Sequence, residues 1–143
     1  MRTDEIRSFL DHFRDSWTRQ DVTSLAACYT DDCLVISPIF SRIRGRANLE
    51  KSFVDLFKAF HTTGITVEEL VISPDEPRAV LLWKIQSTHV GEVFGMPPSG
   101  KPIERSIAFF LTLKNGLIEK ETRVYDFTSM LMELGVLKVK PAN

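Results

Sequence analysis

Asn115-Gly116 lies between two long runs of alternating apolar side chains, and that dipeptide constrains the fold more than any other feature. Both central residues of a type I′ turn need positive φ, so Asn-Gly at this place predicts a two-residue β-hairpin. Such a loop sets the register: Lys114 faces Leu117 and, counting back, Ile107 faces Val124 and Arg105 faces Asp126. Side chains alternate across a strand. One face therefore carries Arg105, Ile107, Phe109, Leu111, Leu113, Ile118, Thr122, Val124 and Asp126. A carboxylate and a guanidinium at the end of a greasy surface are the kind of exception that marks a site.

The rest of the chain supplies helices to cover that surface. Ile6, Phe9, Leu10, Phe13 and Trp17 follow the spacing of an amphipathic helix, with Thr3 or Asp4 placed to cap it. Asp21 reads as the cap of a short second helix carrying Leu25, Ala26 and Tyr29, and Cys33 to Ser37 as a short strand. Phe40 to Arg46 reads as a loop, 47–60 as a third helix, and Gly64 as a break. Strands then follow at 65–73, 78–90, 102–114 and 117–127, separated by turn formers such as Gly95-Met96-Pro97-Pro98-Ser99-Gly100. A final helical turn runs from Thr128 to Leu134, closed by Gly135. Helices first and a meander afterwards predict an α+β domain over 1–137, with 138–143 a loose tail. Three aromatic-rich helices need a concave surface, which a bent sheet of four to six strands provides. Where helices fill it incompletely, an apolar pocket remains.

With 143 residues, 43% of them hydrophobic and 26% charged, the chain can bury a sizeable core and is not of disordered composition. Its net charge of -1 offers no basic excess for a phosphate backbone, so nucleic acid is not an expected partner. Cys28 and Cys33 fit small core residues of a reducing compartment better than a disulfide framework or a zinc site. The charged, helically periodic N-terminus does not read as a signal peptide, and no apolar run approaches the ~20 residues of a membrane span. A soluble cytoplasmic protein is expected. The three histidines are scattered, with no metal-binding spacing, no phosphate loop and no nucleophile elbow, so neither metal nor cofactor is expected.

Trp83, Thr88-His89-Val90-Gly91-Glu92 and Gly95-Met96-Pro97-Pro98-Ser99-Gly100-Lys101 are similar to a stretch of the SnoaL-like polyketide cyclases. Asn115-Gly116-Leu117-Ile118, Tyr125-Asp126 and Leu131 to Gly135 resemble that family's ending, and Tyr29-Thr30-Asp31-Asp32 with Gly45 and Leu49 its looser N-terminal pattern. The resemblance implies the nuclear-transport-factor-2-like cone: a curved mixed sheet wrapped on three N-terminal helices, usually as a homodimer. It also implies cofactor-free ring closure by an intramolecular aldol step, with Asp126 at the position of the family's general acid/base. The chain departs from the family in three places, one of them the penultimate strand, where Ser106, Ala108 and Phe110 stand at the positions from which cyclases supply a polar partner for the Asp. Ile36-Ser37 stands where His-Asp is frequent, and Glu121-Thr122-Arg123 where His-Trp-Asp is frequent.

The residues themselves leave more than one role open. Asp126 is a candidate acid/base if desolvation lifts its pKa, or a cap for the helix that follows. Arg105 either pairs with Asp126 or holds a ligand carboxylate or carbonyl. His89 is either a hydrogen-bond donor to ligand or a strand-end histidine bonded to backbone. Trp17, Tyr29, Phe57 and Trp83 are the aromatic candidates for lining a cavity, against core packing as the ordinary role. The expected partner is a small hydrophobic, carbonyl-containing molecule. The competing class is a binding or dimerisation module that kept the pocket without the chemistry; an isomerase or epoxide hydrolase is a third. The strand face bearing Ser106, Thr112, Glu119, Glu121 and Arg123 is the candidate dimer surface.

Overall fold

A computed structural model describes residues 1–138 and 140, so most of the expected tail lies outside the described residues. Helix α1 (Thr3–Thr18) buries Ile6, Leu10, Phe13 and Trp17 along one stripe, as its spacing predicts. Its cap lies one residue before the expected pair, at Arg2, whose backbone N–H donates to Glu5 Oε1 at 3.2 Å. Gln20 turns the chain in the left-handed region (φ 52°), and Asp21 caps α2 (Val22–Ala26) by accepting from the Ser24 N–H at 3.0 Å.

Strand β1 (Tyr29–Ser37) is longer than expected, and the expected loop after it contains an edge strand, β2 (Ser41–Arg44). Ser41 at φ 62° permits the tight reversal between them. Helix α3 (Arg46–Ala59) leads directly into β3 (Phe60–Ile72), so Gly64 is not a break; it sits at a β-bulge inside the strand. Strands β4 (Arg78–His89), β5 (Pro102–Lys114) and β6 (Leu117–Val124) complete the sheet, and α4 (Phe127–Glu133) follows.

The six strands run in the order β2-β1-β6-β5-β4-β3. Every pairing is antiparallel except β1 with β6, which is parallel, so the sheet is mixed. Two bulges in β3 add local twist and help curve the sheet around α1 and α3. The concave face holds a continuous aromatic core. Trp83 lies between Phe13 and Phe109 at centroid distances of 5.5 and 4.9 Å, and Trp17 meets Phe53 edge-on at 5.2 Å. These edge-to-face and tilted contacts are the geometries that ring quadrupoles favour.

The hairpin register differs from the sequence expectation in a way that decides the site. Asn115 (φ 52°) and Gly116 (φ 77°) form the expected turn, and Lys114 pairs with Leu117. After Leu113 pairs with Ile118, Thr112 pairs with Lys120, leaving Glu119 as an extra residue. From there the ladder is displaced by one: Ala108 faces Val124 and Phe109 faces Arg123, rather than Ile107 facing Val124 and Arg105 facing Asp126. Because the side-chain period is two, a one-residue slip turns every later side chain of β6 to the opposite face. Val124 is thus 53% exposed on the convex face, while Glu121 (0%) and Arg123 (6%) point into the core. Neither belongs to the convex surface on which the sequence reading placed them. Tyr125 and Asp126 lie beyond the end of the strand.

Candidate functional site

Helix α3 and the aromatic end of α1 leave part of the concave sheet uncovered, and a cavity of about 80 Å³ remains there. Trp17 from α1 and Leu56 and Phe57 from α3 form one wall; Ile39 and Phe40, from the turn between β1 and β2, form another. The sheet contributes Phe60, Ile85, Ile107 and Phe109. Among these apolar walls stand six polar side chains: Ser37, Thr62, Ser87, Arg105, Arg123 and Tyr125. No carboxylate and no imidazole lines the cavity among the described residues.

Arg123 is the most constrained of the six. Its Nε donates to Glu121 Oε2 at 2.6 Å, and the other oxygen of that carboxylate accepts from the Tyr29 hydroxyl at 2.7 Å. The guanidinium carbon lies 5.5 Å from the Trp17 ring centroid and 5.3 Å from that of Phe53, within cation–π range. Burial works against the charge on Arg123, but the adjacent Glu121 carboxylate and the Tyr29 oxygen together outweigh it and raise the arginine pKa. Burial, reinforced by the same negative charge, holds Tyr29 well above the ordinary phenol range, so its hydroxyl stays a donor. Glu121 therefore has a donor on each oxygen, whereas Arg123 Nη2 has no hydrogen-bond partner among the described residues. Trp17 Nε1 is likewise buried and unpartnered.

Arg105 places Nη2 2.8 Å from Glu133 of α4 and donates from Nη1 to the Glu104 carbonyl, also at 2.8 Å. Its Nε is buried without a hydrogen-bond partner. Beside it, burial pushes the Tyr125 hydroxyl up to about 12, so it too remains a donor at neutral pH.

The structure brings Trp17, Phe57 and Arg105 together around the cavity and places the other sequence candidates elsewhere. Trp83 (1% exposed) is in the aromatic core, and Tyr29 (0%) reaches the cavity only through Glu121 and Arg123. His89 is fully buried at the end of β4. Its Nδ1 accepts from the Ser99 N–H at 3.3 Å and lies 2.9 Å from the Ser99 hydroxyl, which ties down the loop from Gly95 to Lys101. Asp126 is exposed and caps α4, accepting from the Ser129 N–H at 2.9 Å and the Ser129 hydroxyl at 2.7 Å. Those two bonds, the backbone one first, hold its carboxyl below the ordinary value. It does not face Arg105 across the hairpin.

Sequence reasoning missed Arg123 and Tyr125 as lining residues and put Glu121 on the wrong face. One signal could have found them. Glu121 and Arg123 are charged side chains two apart in a strand and so share one face, and Tyr125 continues the same spacing. Among the described residues no group of three or more His, Cys, Asp or Glu side chains is arranged to hold a metal ion.

The family model for SnoaL-like polyketide cyclases matches residues 7–134. The chain belongs to that family. No curated protein matches it in a sequence comparison. Solved structures with the same fold include AclR from Streptomyces galilaeus, 22% identical with a TM-score of 0.81, covering 96% of this chain and 89% of that one. A SnoaL-like protein from Jannaschia sp. CCS1 is 16% identical with a TM-score of 0.82, covering 94% of each chain. TsrD from Streptomyces laurentii is 18% identical with a TM-score of 0.79, covering 96% and 99%. At these identities the likeness extends to the SnoaL-like fold, the mixed sheet wrapped on helices described above.

Proposed function

We propose that this SnoaL-like protein binds a small apolar, carbonyl-containing molecule in the cavity between α1, α3 and the sheet. One observation carries the reading: an apolar cavity whose polar lining consists of two arginines, a tyrosine and three hydroxyl side chains, with no carboxylate or imidazole among them. Apolar walls with a few convergent polar groups are the usual make-up of a ligand site. At about 80 Å³ the cavity suits one ring or a short branched chain. A thermal-shift screen against small aromatic ketones, esters, steroids and fatty acids tests this. A rise in Tm with the smallest apolar carbonyl compounds is expected, and no shift with any class removes the ligand reading.

The second reading is cofactor-free aldol ring closure with Asp126 as general acid/base, which family membership favours. Such a base must come within hydrogen-bond reach of the proton it removes. Asp126 is instead occupied by two Ser129 donors that stabilise its ionised form and make it a weaker base. Asp126→Asn separates the two readings: lost turnover with unchanged ligand affinity supports the cyclase, and unchanged affinity with no turnover in either form supports binding alone.

We also propose a homodimer, formed through the convex face of the sheet. Phe110 (45% exposed) and Val124 (53%) are neighbours there, flanked by Thr112 and Thr122, which is an apolar patch with a polar rim. Light scattering should give twice 16.3 kDa at micromolar protein. A monomer mass overturns it, and Phe110→Glu should produce one.

A further inference from the structure

Buried donors without acceptors are uncommon, because each loses its hydration and regains nothing. This cavity collects three of them on its own lining residues: Arg123 Nη2, Trp17 Nε1 and Arg105 Nε. Arg123 cannot relieve its deficit locally. Glu121 already holds a donor on each oxygen, Arg123 Nε on one and Tyr29 on the other, it makes no bond to Nη2, and the flanking Trp17 and Phe53 rings present π faces rather than lone pairs. Tyr29 thereby pins the far oxygen of Glu121, and Glu121 fixes the angle at which the guanidinium meets the cavity. The side chains are 4% and 6% exposed for Trp17 and Arg123, so no bulk water competes for them. Arg105 adds a second positive charge to the lining, countered from outside it by Glu133, half-exposed on α4.

We propose, resting on the reading of the cavity as a ligand site, that the ligand presents an oxyanion, either a carboxylate or an enolate, to Arg123 and Trp17. In the same assignment Glu121 and Tyr29 are positioning residues that aim the guanidinium. A neutral carbonyl accepts from one or two of the donors with ordinary strength. An anionic oxygen accepts charge-assisted bonds from a guanidinium, which are roughly twice as strong as neutral ones. It also offsets the second cation, Arg105. The apolar body of the ligand then rests against Phe57, Leu56 and Ile107. Recognition by Arg rather than Lys fits, since the planar fork commits one edge to Glu121 and leaves the other for the ligand.

Four probes of similar size test this by titration at neutral pH: benzoate, the enolate of cyclohexane-1,3-dione, benzamide and benzyl alcohol. Binding is followed by the indole N–H resonance of Trp17, assigned against Trp83 with Trp17→Phe. Benzoate or the enolate should bind at least tenfold more tightly than the two neutral probes and move the Trp17 resonance downfield; which of the two binds better identifies the oxyanion. Arg123→Lys, which keeps the charge but not the fork, should weaken the anion about tenfold. Tyr29→Phe should lower the ratio of benzoate to benzamide affinity, whereas a merely structural tyrosine would weaken both alike. Equal binding of charged and neutral probes overturns the oxyanion while leaving the cavity reading intact. Binding of none of the four overturns both.

Discussion

Glu121→Gln is the substitution whose consequence follows most directly from the network. The native carboxylate is 0% exposed and accepts two donors, Arg123 Nε at 2.6 Å and the Tyr29 hydroxyl at 2.7 Å. Glutamine has the same shape but one acceptor, so its amide nitrogen must face one of the two donors. Arg123 is then a buried cation without its counter-ion. Removing one partner of a buried pair costs about 3–5 kcal/mol, and the hydrogen bond that glutamine retains recovers about 1 kcal/mol. A net loss of about 2–4 kcal/mol is expected, equivalent to a fall in Tm of roughly 10 °C for a chain of this size. Urea unfolding should show the loss as a lower midpoint at unchanged slope, since the surface exposed on unfolding is the same. The double variant Glu121→Gln/Arg123→Met should recover most of it, because it removes the buried cation that the single variant leaves unpaired while the glutamine can still accept from the Tyr29 hydroxyl. A single-variant loss below about 1 kcal/mol, or a double variant no better than the single, would refute the reasoning.

Three other outcomes follow. Asp126→Asn keeps a side-chain oxygen for the cap, so Tm at neutral pH should barely move; the acid side of the profile should change. The native carboxyl has a lowered folded pKa, so its contribution is full above the unfolded value near ~4 and fades as pH falls through the folded one, a dependence the asparagine variant should lack. Gly91→Ala should destabilise by about 1–3 kcal/mol in a urea titration, since the added Cβ would stand 2.0 Å from the Lys58 carbonyl oxygen; wild-type stability would contradict the close approach. Cys28 and Cys33 are buried free thiols, Cys28 pushed up to about 11 by burial and then by the Glu121 charge, so both should resist a thiol reagent at mildly alkaline pH until the protein unfolds.

The fold was largely legible because its strongest determinants are local. The stripe from Ile6 to Trp17, the Asp21 cap and the Asn115-Gly116 turn are each set by residues within one or two turns of chain. Gly64 was harder, since a glycine that marks a bulge and a glycine that ends an element look alike in sequence. The edge strand β2 was hidden for a related reason: its residues Arg42 and Arg44 are exposed and Ser41 adopts a left-handed turn, so alternation is faint.

The site was less legible, and one residue accounts for most of that. Glu119 inserts a bulge that no rule for two-residue hairpins anticipates. Val124, the more hydrophobic side chain, argued for an inward even-numbered phase, yet the tertiary environment puts Glu121 and Arg123 inside and Val124 outside. The gain is not in hydrophobic burial but in the hydrogen-bonded chain from Tyr29 through Glu121 to Arg123, and Tyr29 is a residue 92 positions away that local pattern cannot link to Glu121. Trp17 and Trp83 show the same limit. Both sit on apolar faces, and only the place where the helices stop covering the sheet makes one a cavity wall and the other core.

The most direct test of the account is a map of backbone and side-chain chemical-shift changes on adding the probe that raises Tm most. The interior site predicts the largest changes at Trp17, Phe57, Ile107 and Arg123, with Phe127 to Ser129 unmoved. Changes concentrated around Asp126 and Ser129, with the Trp17 indole undisturbed, would contradict it and return the chemistry to the helix cap.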